Sequence, residues 1–315
     1  INENGVMAFG FDITPYINSD GDNVLAVRVD NNWRYHEKST RSGFQWNDRN
    51  FNANYGGISK NVWLHTMGDV YQTLPLYDNL RTTGVYIHAR DFDISGHIAT
   101  IVAQSEVKNE SSQAQTVGYE VELADADGRI ISKFSGSPAV LPAHSTALCS
   151  ASSRVGGLKF WSWGYGYLYQ VKTRLTVNGR CVDEVTTRTG FRKTEYALGM
   201  VKLNDRVLHL KGFAQRSSNE WPAIGLSVPV WMSDYSNGLI VSSNANLVRW
   251  MHITPWKQDV ESCDRVGLIQ AMPSGDSEKD VTGRNWEQRK EVMRDAIIYN
   301  RNNPSILFYE CGNNE

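Results

Sequence analysis

The stretch from Arg301 to Glu315, RNNPSILFYECGNNE, constrains the fold more than any other part of the sequence. Pro304 disfavours a helical conformation at the residue before it, so a preceding helix must end there. The apolar run Ile306–Tyr309 is typical of a strand covered on both faces, and polar residues follow it at once. The carboxyl ends of such parallel strands carry the chemistry of α/β barrels. An ordinary loop, in which Gly and Asn make turns and Glu is solvated, is the open alternative.

The charge balance argues against several classes of partner. The 315 residues include 32 basic and 34 acidic side chains, with a formal net charge of −2. This predicts no nucleic-acid partner and no anionic membrane partner, and no apolar run is long enough to span a bilayer. The four cysteines lack metal-ligand spacing and are interpreted as buried thiols, with a Cys149–Cys181 disulfide left open. We therefore expect no metal and no cofactor.

The first part of the chain has the period of β-strands. Asn23–Asp30 alternates with period two, and Asn61–His65 is a second predicted strand. The polar and aromatic segment 31–54 lies between them; such long loops are often functional, although a plain surface loop is the alternative. From about residue 76 to 194, short strands and turns predict an antiparallel sandwich. The clearest strands and turns there are Ile98–Lys108, Ala114–Leu123, Val171–Val177, Asp125–Gly128 and Asn178-Gly179.

An aromatic cluster in the same region has two interpretations. Such rings can stack on sugar faces, or they can pack the sandwich and its interface, and packing is the more common role. The members are Trp161, Trp163, Tyr165, Tyr167 and Tyr169.

From Thr194 onward the pattern changes to strands alternating with helices, which predicts a parallel sheet. Thr254-Pro255 is a predicted helix start, and Asn285–Gln288 fits a capping box. The predicted strands are Val207–Gln215, Asn246–Ile253, Val266–Met272 and Ile306–Tyr309. The predicted buried helix face consists of Val292, Met293, Ala296 and Ile297, after an earlier one of Val260 and Cys263.

Polar residues follow these strands, and their chemistry suits cleavage of glycosidic bonds. One carboxylic acid must protonate the departing oxygen, and a second carboxylate must attack or stabilise the sugar cation. Asn313 could hold a sugar hydroxyl, and His252 could do the same, with a core imidazole as the alternative. The strand ends that converge are Gln215-Arg216, Arg249–His252, Met272–Asp276 and Glu310–Glu315.

At this point the whole chain resembles the middle of a family-two glycoside hydrolase, the family of β-galactosidases and β-glucuronidases. The resemblance implies the C-terminal part of a jelly-roll sugar-binding domain over 1–75, an immunoglobulin-like β-sandwich over 76–194, and the first half of a (β/α)8 TIM barrel over 195–315. It also implies a protein truncated at both ends, with its targeting segment removed. The matching stretches are Phe11–Thr14, Asn23–Asp30, Gly56–Leu64, Phe160–Ser162, Tyr167–Tyr169, Thr189–Lys193, Leu203-Asn204, Leu210–Gly212, Asn246–His252 and Asn303–Glu315.

The resemblance further implies a retaining exo-β-glycosidase, with β-galactosidase preferred, acting on terminal β-linked sugars through two glutamates. The family's acid/base ends a Gly-Asn-Glu motif, whereas Gly312-Asn313 is followed here by Asn314 and then Glu315. Glu315 is the first choice for the acid and Glu310 the second, and replacement of the acid by Asn314 is a third alternative. The residues implied to bind substrate are Asn313, Asn314, His252, Arg249, Trp250 and Arg216.

Two departures from the family pattern bear on function. A His expected near Gly212–Arg216 and an acidic residue expected near Ala271-Met272 are absent, which implies altered substrate preference and no required metal. The nucleophile would lie on a seventh strand, so this polypeptide alone is expected to be inactive. The alternative function is a non-catalytic carbohydrate-binding protein with a degenerate barrel. A periplasmic or secreted location is favoured, and a homo-oligomer is compatible with the sequence.

Overall fold

The computed structural model describes residues 2, 7–30, 32, 57–58, 60–215, 227–251, 254–273 and 282–310, without the side chain of residue 285. These residues contain two antiparallel sheets with a shared apolar core, a small three-stranded sheet, and a four-stranded parallel sheet connected by helices. No helix within these ranges is long and apolar enough to cross a membrane.

The antiparallel part of the structure runs from residue 70 to residue 207. One sheet contains β1, β2, β3 and β7, a second contains β4, β5, β6, β8 and β9, and the small sheet contains β10 to β12. The elements are β1 (Val70–Gln72), α1 (Tyr77–Leu80), β2 (Val85–Asp93), β3 (Ile98–Asn109), β4 (Gln115–Ala124), β5 (Ile130–Ser135), β6 (Ala139–Leu141), β7 (Ser145–Val155), β8 (Tyr169–Val177), β9 (Arg180–Thr189), β10 (Thr194–Ala197), β11 (Met200–Leu203) and β12 (Arg206–Val207).

The two larger sheets form a sandwich because their strands alternate in polarity. Along β4 every second side chain is buried, and Val121 and Leu123 pack in one cluster with Ile101 of the other sheet. The strands predicted over 98–108, 114–123 and 171–177 are confirmed as β3, β4 and β8. The antiparallel pairing predicted from their spacing is confirmed as well.

Turn chemistry in the sandwich also follows the sequence. Asn178 and Gly179 have φ values of 50° and 74° and join β8 to β9, as a tight hairpin requires. Asp125 Oδ1 accepts hydrogen bonds from the backbone N–H groups of Asp127 and Arg129, at 3.0 and 2.9 Å. Both predicted turns are therefore confirmed.

The strands predicted at Asn23–Asp30 and Asn61–His65 are not formed. Over 7–30 and 60–69 the only helix or strand residues are those of the 3₁₀ turn Thr14–Tyr16. Val24 is 93% exposed, since no strand of the described part pairs with its neighbours. An isolated strand leaves its backbone groups unpaired and is not stable by itself. Most of the segment 31–54 lies outside the described residues.

The aromatic cluster divides between core and surface. Trp161 and Tyr169 are buried, whereas Trp163 and Tyr165 are 43% and 47% exposed. The disulfide left open by the sequence is not formed, since Cys149 is a buried free thiol on β7 and Cys181 an exposed one on β9.

The parallel part confirms the predicted alternation of strands and helices. Its strands lie in the order β13-β14-β15-β16, and each neighbouring pair is parallel. Helices connect consecutive strands, as parallel pairing demands. The elements are β13 (Gly212–Gln215), α2 (Val230–Ser242), β14 (Leu247–Trp250), α3 (Lys257–Val266), β15 (Ile269–Pro273), α4 (Gly283–Asn300) and β16 (Ile306–Glu310).

Several predicted boundaries in this part were wrong. Thr254 does not cap α3, because its buried hydroxyl donates to the carbonyl of Pro273 at 3.1 Å and the helix begins at Lys257. Val266 ends α3, and Gly267, with a φ of 72°, stops the helix before β15. The predicted capping box at 285–288 lies inside α4, which begins at Gly283.

Two further predictions need correction in detail. The strand predicted at Val207–Gln215 is two pieces, β12 and β13, because the chain turns out of the small sheet before it enters the parallel one. On α4, Val292 and Ala296 are fully buried as predicted, but Ile297 is 36% exposed. Val260 and Cys263 of α3 are fully buried, as predicted.

Candidate active site

The carboxyl ends of β13 to β16 lie side by side at one end of the parallel sheet. This end is called the carboxyl edge, or the strand edge, and the candidate site is built there. In register, Gln215 of β13 pairs with Trp250 of β14, and Glu310 of β16 pairs with Pro273 of β15. Each of these residues begins or lies within one of the four segments predicted to carry the chemistry. Parallel pairing thus brings the ends of four strands that are distant in sequence to one edge of the sheet.

An arginine–glutamate pair crosses this edge. Arg249 Nε donates to Glu310 Oε1 and Oε2 at 3.0 and 2.9 Å, and Arg249 Nη2 lies 2.9 Å from Oε2. The two side chains are 35% and 21% exposed, so both remain accessible at the strand ends. Charge-assisted pairs of this two-pronged kind are directional and among the stronger hydrogen bonds in proteins.

The local sheet geometry explains how this pair spans two strands. Arg249 is in register with Ala271 of the intervening strand, and the small side chain of Ala271 leaves space for the long arginine to cross. The pairing of β15 and β16 shifts between Gln270 and Ala271, so that Leu307 is an extra residue on β16. A bulge of this kind re-aims the side chains that follow it, and Glu310 is one of them.

Trp250 does not join this pair. Its side chain is fully buried, packs with Val248, Cys263 and Leu268, and donates from Nε1 to Gln270 Oε1 at 2.8 Å. Successive residues of a strand face opposite sides of a sheet, so Arg249 and Trp250 cannot both line one side. The sequence interpretation that assigned both to substrate overlooked this alternation.

The other predicted site residues lie outside the described residues. They are Arg216, His252, Asn313, Asn314 and Glu315. In sequence, Arg216 follows the last residue of β13, and Asn313 to Glu315 lie three to five positions after Glu310.

A buried polar network holds the beginning of β16, which the sequence analysis missed. Asp264 of α3 accepts hydrogen bonds from the side chain of Asn303, at 2.5 Å, and from the backbone N–H of Ser305, at 3.1 Å. The Ser305 hydroxyl also donates to Asp264. Lys257 Nζ donates to Asn303 Oδ1 at 2.8 Å, so Asn303 connects the lysine to the aspartate.

Burial sets the ionisation of this network. It raises the pKa of Asp264 to about 6, although the hydrogen bonds from Ser305 and Asn303 oppose the rise. Burial also lowers the pKa of Lys257. A raised carboxyl pKa in a cleft is often a sign of catalysis. Asp264 is only 3% exposed and belongs to a helix beneath the sheet, so here the shift reflects structural burial.

The sandwich contacts the same part of β16 through Arg192. Its guanidinium donates to the carbonyl oxygens of Pro304 and Ile306 and to the hydroxyl of Thr194. Tyr196 donates from its hydroxyl to the carbonyl of Leu307 at 2.8 Å. The strand that carries Glu310 is therefore attached to both the helix layer and the sandwich.

The edge of the sandwich is closed by the loop before β16. Asn302 Oδ1 accepts from the N–H of Ile87 at 2.8 Å, and its Nδ2 donates to the carbonyl of Val85 at 2.9 Å. This side-chain amide thereby occupies a place that a neighbouring strand would take on the edge strand β2.

The described residues contain no group of three or more His, Cys, Asp or Glu side chains arranged to hold a metal ion. What the described part of the edge offers is a charge-paired carboxylate and a guanidinium, with polar segments attached to it.

Comparison with known proteins identifies relatives of the chain. The profile of the family described as "Glycosyl hydrolases family 2" matches residues 85–192, which is the sandwich from β2 to Arg192. A β-glucuronidase of Formosa agariphila is 30% identical over 99% of this chain and 32% of its own length. A β-galactosidase of Bacteroides ovatus is 26% identical over 98% of this chain and 34% of its own length.

A solved structure agrees with these relatives. The structure described as a β-glucuronidase from glycoside hydrolase family 2 superimposes with a TM-score of 0.88, at 28% identity, over 97% of this chain and 32% of that chain. The chain therefore spans about a third of the length of the relatives it matches.

Proposed function

We propose that this chain, which carries a family 2 glycosyl hydrolase domain, is part of a retaining exo-β-glycosidase that removes terminal β-linked sugars from oligo- or polysaccharides. The observation that carries the proposal is the Arg249–Glu310 pair at the carboxyl edge of the parallel sheet. Almost the whole of this chain aligns with relatives named β-glucuronidase and β-galactosidase. Because it spans only about a third of them, the activity is proposed for the complete protein.

The architecture we propose for it has three parts. Residues 1–75 are the C-terminal part of a jelly-roll sandwich, 76–194 are an immunoglobulin-like sandwich, and 195–315 are the first half of a (β/α)8 barrel. The shared core of the two antiparallel sheets supports the second part. The alternation of β13 to β16 with α2 to α4 supports the third, since four parallel strands joined by helices are half of such a barrel.

The proposed mechanism uses two glutamates. A nucleophilic carboxylate attacks the anomeric carbon while the acid gives its proton to the glycosidic oxygen, which leaves with the bonding electron pair. Water, deprotonated by the same acid/base residue, then releases the sugar from the enzyme with retained configuration. The acid is assigned to the segment 310–315, with Glu315 first and Glu310 second. The nucleophile is expected on a later strand, beyond those of this chain.

The remaining candidates are proposed to hold the sugar. Arg249 lies at the strand edge with a partly exposed guanidinium, which suits hydrogen bonds to sugar hydroxyls. Asn313, Asn314, His252 and Arg216 are proposed to line the same pocket on the grounds of their sequence positions. Trp250 is not included, because it is fully buried among the helices.

The preferred sugar is proposed as a terminal β-galactoside, with a β-glucuronide as the competing substrate. Relatives of both names match the chain, so the two are tested side by side. The complete protein is incubated with 4-nitrophenyl β-galactoside, β-glucuronide and β-mannoside, and the anomer first released is read by nuclear magnetic resonance. We expect the β-galactoside to be turned over fastest and the β-anomer to appear first, and a faster β-glucuronide would contradict the proposed preference.

Two controls make this experiment decisive. The 315-residue chain alone is expected to be inactive, because it spans only about a third of the length of the relatives it matches. If the complete protein binds these sugars but turns over none of them, it is a carbohydrate-binding protein and the proposal is wrong. Release of the α-anomer first would contradict the retaining mechanism.

A further inference from the structure

The proposed function leaves two carboxyl groups, Glu310 and Glu315, competing for one role, and the geometry of Glu310 separates them. We propose that Glu310 is a positioning residue that holds the guanidinium of Arg249 at the strand edge, and that it does not donate the proton to the leaving group. This inference rests on the proposed function of the same site.

Both carboxylate oxygens of Glu310 are occupied by one cation. Arg249 Nε bonds to each of them, and Nη2 bonds to Oε2. An arginine side chain remains charged at every pH at which proteins are studied, and it can only donate. A general acid has to carry a proton and direct it at the glycosidic oxygen. A proton on Glu310 would face the donors of Arg249, so protonation would break the arrangement that the structure displays.

The pair is held from beneath. Ala271 makes room for it on the intervening strand, and the extra residue Leu307 brings Glu310 level with Pro273. Arg192 and Asp264 fix the first residues of the same strand through their hydrogen bonds to Ile306 and Ser305. A carboxylate on such a supported strand suits the precise orientation of a neighbouring group.

The charge of the pair bears on the choice of sugar. The carboxylate of Glu310 offsets one positive charge at this edge, that of the Arg249 guanidinium. Removal of the carboxylate would make this part of the edge more positive by one charge, and an anionic sugar would be attracted more strongly to it. Glu310 is therefore also a specificity-determining residue, one that favours neutral sugars over uronic acids.

The test uses Glu310→Gln in the complete protein with two classes of leaving group. Loss of a general acid lowers turnover ~10²–10⁴-fold for a poor leaving group such as methoxide, but hardly affects an activated one such as 2,4-dinitrophenolate. Loss of a positioning residue misplaces the sugar and lowers kcat/KM for both substrates alike, by about tenfold to a hundredfold. We expect the second pattern.

Three further readouts separate positioning from a general loss of structure. The alkaline limb of the kcat/KM profile, which reports deprotonation of the acid, should persist in Glu310→Gln. In an Arg249→Met background, Glu310→Gln should cost nothing more. The ratio of kcat/KM for β-glucuronide over β-galactoside should rise about tenfold.

Glu291→Gln is the matched control. It breaks another arginine–glutamate pair, in which Arg284 Nη1 lies 3.0 Å from each carboxylate oxygen, within helix α4. Thermal unfolding of each variant checks that it is folded. The control should retain wild-type kinetics, and Glu315→Gln should show the leaving-group pattern of a lost acid.

Each outcome has one meaning. If Glu310→Gln lowers turnover only of the substrate with the poor leaving group, and the alkaline limb of its kcat/KM profile disappears, then Glu310 is the acid. This inference would then be wrong, while the proposed function would stand. If the wild type turns over no β-glycoside, the proposed function fails first. If Glu310→Gln is unfolded, Glu310→Asp serves instead: a positioning role predicts partial retention for both leaving groups, and equal wild-type kinetics would overturn it.

Discussion

The sandwich and the parallel sheet both bury polar groups, but groups of different kinds. At the centre of the sandwich, Ser105 hydrogen-bonds Gln72 and Tyr119 at 2.8 and 2.7 Å, and Thr173 bonds Gln72 at 2.6 Å. These side chains are uncharged, and the carboxylate of Asp183, which also accepts hydrogen bonds from Gln72, is only partly buried. Beneath the parallel sheet, the buried network contains an acid and a base, Asp264 and Lys257.

This difference predicts which part of the molecule should change in stability with pH. Hydroxyl and amide groups keep their hydrogen-bonding character over the ordinary pH range. A buried carboxyl changes from donor to acceptor when it titrates, and the free energy of unfolding changes with it. The sandwich should therefore be indifferent to pH at its centre, whereas the layer beneath the sheet should not be.

The largest effect is expected from Asp264→Ala. The substitution leaves the backbone N–H of Ser305 and the amide of Asn303 without their buried acceptor. Each unpaired group costs about 1–3 kcal/mol, so the free energy of unfolding should fall by roughly 4 kcal/mol. Denaturant unfolding measures the loss, and hydrogen exchange should report it in β16. A change below about 1 kcal/mol would show that the network is not structural.

Leu123→Ala should have the next largest effect, in the apolar core of the sandwich. Leu123 is fully buried, and truncation removes packing and leaves a cavity. A loss of about 3 kcal/mol is expected, equal at pH 5 and pH 8 because no titrating group is changed. Val140→Ala, at a residue 67% exposed, is the control and should lie within about 0.5 kcal/mol of wild type.

A pH effect of about 3 kcal/mol for each buried acid is expected, since a shift of one pKa unit corresponds to about 1.4 kcal/mol. Burial raises the pKa of Asp264 and of Asp295 to about 6 from an ordinary 3.8. Between those values the folded chain retains protons that the unfolded chain releases, so the contribution of these groups to stability falls as pH rises from about 4 to 6.

Asp264→Asn and Asp295→Asn test this by the difference from wild type. Each should flatten the dependence of unfolding free energy on pH in that window, whatever it does to stability at a single pH. Asp127→Asn, in an exposed turn, serves as the control. An unchanged slope in both buried variants would remove the contrast between the two regions.

Tyr119→Phe should have the smallest effect. It removes the hydroxyl that lies 2.7 Å from Ser105 Oγ but keeps the ring packed in the core. The cost of one neutral buried hydrogen bond is about 1 kcal/mol. Calorimetric unfolding at pH 5 and pH 8 should give the same loss, and a loss that varied with pH would mean that the sandwich centre is also ionisable.

The sequence predicted the sandwich strands well because their signal is local. Alternation in β4 and the Asn178-Gly179 hairpin require only neighbouring residues. The same alternation failed at Asn23–Asp30, since a strand also needs a partner, and the pattern says nothing about which segment supplies one. Arg249 and Trp250 could have been separated by the period-two rule, which was not applied to them.

The buried network of Asp264 and Lys257 beneath the parallel sheet could not be predicted from local sequence patterns. Asp264 contacts Asn303 and Ser305, which lie 39 and 41 residues further along the chain, and no residue near Lys257 in the sequence marks its side chain as part of a buried network. The shift of register at Leu307 depends on two strands at once. Such features follow from tertiary pairing, so a single sequence holds no local trace of them.

The bonds from Arg192 to Pro304 and Ile306 have a consequence for recombination between relatives. A chimaera could take its sandwich from one parent and its strand β16 from another. Its arginine at position 192 would then face backbone carbonyls at 304 and 306 whose positions come from a different protein. Gly190 tightens this dependence, since a Cβ there would lie 2.9 Å from the ring of Pro304. Viable crossovers should therefore inherit residues 190–194 and 304–306 from the same parent, although more than a hundred residues separate them in the gene.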